Sequence, residues 1–207
     1  MRERSRFEGL LDEYFELFLA EHPSAATLAG LRDGEGKLGH VNLRHEQRWE
    51  HRRQQALARL DSISPHLLTN EQQLDRLAFR SQLLRETEDF ARRRHSLDPG
   101  AIEALLGILL HELQRGDDEP RRAAANIRGL LRETPRYLSE AASLIDRPER
   151  VWRNIMQQTA EGAGSLFDAV AKFFQAVGAR REDRPLIRSA RISQHPIRSA
   201  RILSVRL

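Results

Sequence analysis

The sequence predicts an all-α protein, an irregular bundle of about seven or eight mostly antiparallel helices with no sheet. Two observations carry this. Apolar residues recur at three- and four-residue steps along most of the chain, and no window alternates with period two between turn residues. Prolines, glycines and capping residues interrupt the pattern at short intervals, and short helix-to-helix connections favour antiparallel neighbours.

The first helix is the clearest. Phe7, Leu10, Leu11, Tyr14, Phe15, Phe18 and Leu19 fall at i, i+3, i+4, i+7, i+8, i+11 and i+12, one apolar stripe ending near His22-Pro23. Ser24 to Gly30 reads as a short helical turn closed by glycine. Gly34, Gly36 and Gly39 mark a loop to about Asn42. A highly charged helix follows to about Ser64, with Trp49, Ala56, Leu57, Leu60 and Ile63 on one side. Thr69-Asn70-Glu71-Gln72 is a capping-box pattern, and the helix it opens presents Leu74, Leu77, Ala78, Leu84 and Phe90.

Asp98-Pro99 is a start signal for a helix carrying Ile102, Leu105, Leu106, Leu109, Leu110 and Leu113. Pro120, Pro135 and Pro148 then divide the next stretch into three helices. Their apolar faces are Ala124/Ile127/Leu130/Leu131, Tyr137/Leu138/Ala141/Leu144, and Val151/Ile155 onward to Val177. Gly162 and Gly164 lie inside the last, where glycine loosens a helix or permits close packing.

Charge divides the chain into a body, residues 1–179, and a tail, residues 180–207. The tail holds eight arginines against Glu182 and Asp183, a net +6 that leaves the body at −2 within a whole-chain +4. In the tail Ile187-Arg188-Ser189-Ala190-Arg191-Ile192 recurs at residues 197–202. Two short copies make no solenoid. The tail is expected to be a disordered or non-native appendage, with a basic arm touching nucleic acid or an anionic surface as the functional alternative. The helical body is the expected domain.

Composition excludes several classes. There is no cysteine, hence no disulfide framework, thiolate metal site or cysteine nucleophile. The N-terminus lacks an apolar signal core and no stretch is apolar enough to span a bilayer, so a cytoplasmic protein without a membrane partner is expected. With the basic charge confined to the tail, nucleic acid is not the expected partner.

The candidate chemistry is sparse. His111-Glu112-Leu113-Gln114-Arg115 begins like a zincin helix, in which histidines at i and i+4 grip zinc, but Arg115 stands where the second histidine belongs. His40, His45 and His51 accompany Glu46 and Glu50, yet His45 and His51 are six apart, about 240° round a helix. Asp117-Asp118 precede Glu119-Pro120, where acidic residues suit a helix N-terminus. Ser139, Thr159 and Ser165 lie in no nucleophile elbow, and Gly34, Gly36 and Gly39 form no phosphate loop. Trp49, Trp152, Tyr14, Tyr137 and the phenylalanines read as core rather than base-stacking platforms. No catalytic, cofactor-binding or metal residue is assigned.

Several landmarks occur together in order: Phe7…Leu10-Leu11…Tyr14-Phe15, Pro23-Ser24-Ala25-Ala26-Thr27-Leu28-Ala29-Gly30, Asp98-Pro99, Arg132-Glu133-Thr134-Pro135-Arg136-Tyr137-Leu138, and Pro148-Glu149-Arg150-Val151 leading to Glu161-Gly162. This series resembles the N-terminal region of a widespread bacterial family, domain of unknown function 885, over about residues 5–178. The resemblance implies an all-helical, zinc metallopeptidase-like protein whose His-Glu-x-x-His helix lies in a downstream portion, with peptide substrates only in full-length relatives. Zinc is thus implied for the family and not for this chain. The pattern stops near residue 180, which implies a truncated or frame-disrupted product.

The expected function is that of the N-terminal helical region of such a protein, catalytically silent alone. Its partners would be the missing catalytic portion or further copies, meeting through exposed apolar helix faces. The alternative is a stand-alone helical interaction module with a basic tail.

Overall fold

A computed structural model describes residues 2–97, 100–146 and 150–193. Eight α-helices are present among them and no strand: α1 (Arg2–Glu21), α2 (Pro23–Leu28), α3 (Leu43–Asp61), α4 (Asn70–Ala91), α5 (Ala101–Arg115), α6 (Pro120–Leu144), α7 (Arg150–Val177) and α8 (Asp183–Ser193). Short 3-10 turns at Pro65–Leu67 and Arg94–Ser96 precede and follow α4.

The helices build two hydrophobic cores. In the first, Phe7 and Leu10 of α1, Ala56 and Leu60 of α3 and Leu83 of α4 are buried together with Ile63 and Leu68. In the second, α5 to α8 enclose residues such as Leu105, Leu109, Ile127, Leu131, Phe167 and Phe174. Local signals set several boundaries. The Asn42 side chain accepts the His45 amide at 3.0 Å and starts α3. Thr69 and Gln72 exchange both bonds of the capping box at the head of α4.

The loop between α2 and α3 stitches the cores together. Leu38 and Val41 are buried in the second core. Glu35 accepts from Arg115 at 2.9 Å and Arg122 at 2.7 Å. The Leu38 amide donates to Glu133 at 2.8 Å and the Val41 amide to Glu140 at 3.0 Å, while Arg136 donates to the Gly39 carbonyl at 2.6 Å. Gly36, at φ 72°, and Gly129 allow the backbones to meet, since a Cβ on Gly129 would lie 2.5 Å from the Gly36 carbonyl oxygen.

Four expectations are corrected. Pro135 does not divide two helices, because α6 runs through it. Its apolar face is continuous from Ala123 to Leu144, and burying that face outweighs the lost backbone bond, a cost of about 3 kcal/mol in a helix interior. Phe15 is 61% exposed rather than core, because α1 buries only the Phe7/Leu10 line, with Leu11 and Tyr14 half-buried beside it. In α4 the leucines at 74, 77 and 84 are exposed, and Phe79 and Leu83 face the core instead.

The fourth correction concerns the tail, of which residues 183–193 form α8. Its ion-pair partners, Arg128 of α6 for Asp183 and Asp168 of α7 for Arg191, and its core contacts come from other helices, invisible to a local reading. Arg128 of α6 grips Asp183 through two bonds, at 2.7 and 3.1 Å, with its guanidinium 4.7 Å from the Phe174 ring centre. Ile187 and Ala190 complete the helical stripe against the core. The second copy of the tail repeat lies outside the described residues, as do Asp98, Pro99 and Pro148; α5 itself opens at Ala101 behind Gly100. Gly162 and Gly164 sit within an unbroken α7 with open space where a Cβ would be, so neither serves close packing.

Candidate functional site

The sequence-predicted candidates disperse. His111 and Glu112 lie in the last turn and a half of α5. Glu112 is fully buried and accepts from Asn126 at 3.0 Å. Arg115 is held 2.9 Å from Glu35 and 3.6 Å from Glu112. A clamped guanidinium therefore occupies the place of a second zinc ligand, and these residues do not fit the metal.

The second histidine cluster separates in the same way. His40 meets Glu140 at 3.0 Å beside Arg136, and His51 meets Gln55 at 2.9 Å. His45 alone is buried. Among the described residues no group of three or more His, Cys, Asp or Glu could hold a metal ion. Ser139 and Ser165 are exposed, with the Ser165 hydroxyl turned back to the Gly162 carbonyl. Asp117 and Asp118 stand exposed ahead of α6, as a helix N-terminus favours. The Trp152 side chain lies outside the described residues.

The fold assembles two polar clusters that sequence spacing did not suggest. At the junction of α1, α2 and α3, His22 and His45 meet edge-to-face with ring centres 5.4 Å apart, and Trp49 and Phe18 close on His22 at 5.1 and 4.6 Å. Burial pushes His22 down to about 4, with the repulsion a protonated His45 would exert adding to this against the attraction of Glu21. Burial likewise lowers His45, although Glu21 lies 3.4 Å away. These are histidines kept neutral by an aromatic box, and His22, which closes α1, had no partner in sequence to signal it.

The second cluster lines a recess of about 240 Å³ between α3, α4 and the following 3-10 turn. Arg53 is buried at its base, bonded to Glu50 at 3.0 Å and 3.8 Å from Glu86. Phe90 and His95 stack at 5.2 Å on one wall. Burial raises the Glu46 carboxyl, with the Arg53 charge opposing it only in part. The internal pairing of Arg53 satisfies the requirement that a buried charge be compensated, which gives the recess a structural role.

Comparison with known proteins adds no relative. No family profile, curated protein or solved structure matches this chain.

What stands out on the surface is α4. Its apolar residues lie on two sides: Phe79 and Leu83 pack into the first core, while Leu74, Leu77 and Leu84 are 68%, 57% and 41% exposed on another line. A helix with one buried face carries a polar opposite face, and α4 does not. This row is the candidate functional surface, an interface rather than a reaction centre. No helix among the described residues is long and apolar enough to cross a membrane.

Proposed function

We propose that this chain is the N-terminal helical region of a zinc metallopeptidase-like protein, silent as a catalyst by itself, whose surface covers a catalytic portion. The observation that supports this reading best is the second apolar face of α4, which has the character of a helix packed on both sides. The ordered series of landmarks from Phe7 to Gly162 adds the family to the interface. In that arrangement the helices wall a substrate cleft, and the metal chemistry belongs to the other portion.

A second reading is a stand-alone helical interaction module whose exposed face binds a partner helix, with basic residues adding electrostatic attraction. Closure of both cores favours it, since Phe7, Leu60 and Leu83 in one and Ile127, Leu131 and Phe167 in the other are sealed by this chain alone.

The test is elemental analysis for zinc on dialysed protein, with peptidase assays on the same sample. Both readings expect neither bound zinc nor hydrolysis. Stoichiometric zinc with metal-dependent peptide hydrolysis overturns both.

A further inference from the structure

The exposed row on α4 has the spacing of a helix seam rather than of scattered surface leucines. Positions 74, 77, 81, 84 and 88 follow one another in alternating steps of three and four, the repeat that keeps one line of side chains turned to a partner helix. Leucines hold three of the five, small Ser81 sits between Leu77 and Leu84, and all five are exposed.

We propose that, where no catalytic portion or partner helix covers this face, α4 packs antiparallel against α4 of a second copy, about a two-fold axis beside Ala78. The inference rests on the reading of this face as an interface, which both functional readings share. Charge identifies the occupant. Setting Leu74 against the partner's Leu84, and Leu77 against the partner's Ser81, keeps six leucines in one contact. The same alignment places Glu71 across from the partner's Arg85 at both ends of the seam, with Ala78 meeting its own copy between them.

Within the chain those two charges are left over. Among the described residues Glu71 pairs with no basic side chain, and Arg85 bonds only the neutral amide of Gln82. On the other flank Gln73 and Thr87 are neutral, and Arg80 is already gripped by Asp61 at 2.8 and 3.2 Å. A parallel, in-register pairing would instead bring Arg85 beside the partner's Arg80 and set no cation of α4 across from Glu71. Only the two-fold antiparallel copy supplies both missing counter-charges with the same patch.

The absence of cysteine makes the register directly readable. A78C should crosslink to itself with a short bismaleimide. E71C and R85C should each fail alone, because their copies stand far apart along the seam, yet crosslink when mixed. Light scattering on the wild type should show mass rising toward the dimer with concentration. Leu77→Asp should weaken dimerisation at least tenfold with an unchanged helical circular dichroism spectrum, the position being exposed. Glu71→Arg and Arg85→Glu should each weaken the dimer, and the double swap should restore it.

A monomer at every concentration, or E71C crosslinking to itself, overturns the proposal. So does a dimer indifferent to Leu77→Asp. None of these results bears on the zinc and peptidase assays, so failure of the dimer and failure of the functional reading remain distinguishable.

Discussion

His22 and His45 show how a buried residue turns solvent chemistry into stability. Both rings are neutral in the fold because burial disfavours their charged forms, His22 down to about 4. The unfolded chain protonates them near 6.5. Between those values the unfolded state binds more protons, so stability is full above about pH 6.5 and falls as pH drops toward 4. The charged neighbours do not reverse this: Glu21 favours protonation of both rings, while Arg48 and Arg52 beside His45, and Arg53 beside His22, oppose it. Glu21 and Glu140, whose carboxyls are held low, add their own losses only below the ordinary carboxylate range near 4.5. The unfolding free energy from denaturant titrations should therefore drop between pH 7 and pH 5 by an amount on the order of 2 kcal/mol, and His22→Phe should flatten much of that slope. An equal slope in the variant would contradict the assignment. Neither the aromatic box nor the Arg128–Asp183 pair was legible in the sequence, because their members lie 23 and 55 residues apart and nothing local marks either half.

Elements were far more legible than their faces or their breaks. Periodicity and capping located α1, α3 and α4 to within a few residues, because those signals act over one or two turns. The line of Leu74, Leu77 and Leu84 on α4 is legible as an apolar line but its direction is not, since a helix with two apolar faces gives no indication of which one its own chain buries. Pro135 misled for a related reason, in that a local helix breaker was outvoted by a buried face running the length of α6. That outcome makes a prediction. Pro135→Ala restores an amide that can bond the Leu131 carbonyl and removes the ring from the preceding turn, at a half-buried position with little packing to lose. The variant should be more stable by about 1–3 kcal/mol in chemical denaturation. A loss of stability would mean that the core is shaped around the proline bend.

At the scale of the whole molecule, the two cores are joined by the α2–α3 loop, whose side chains and amides engage α5 and α6 from Arg115 to Glu140. Four carboxylate-centred contacts hold it: Arg115 and Arg122 on Glu35, and the Leu38 and Val41 amides on Glu133 and Glu140. Glu140 illustrates the strength of the stitch. Burial pushes its carboxyl up, yet the bonds from the Val41 amide, His40 and Arg136 overcome this and bring it down to about 2. Its contribution is present above the ordinary carboxylate range and is lost only as pH falls toward 2. Two cores that share so many polar links should unfold together, giving one calorimetric transition at neutral pH. Replacing Glu133 and Glu140 with Gln keeps their volume but removes the charge-assisted acceptors, which are worth about 1.5–3 kcal/mol each. The coupling should then fall while Phe7, Leu60 and Leu83 in one core and Leu105, Ile127 and Phe167 in the other remain packed. The double variant is therefore expected to show two transitions, or a van't Hoff enthalpy below the calorimetric one. A single sharp transition shifted to lower temperature would place the coupling in the buried Leu38 and Val41 side chains instead.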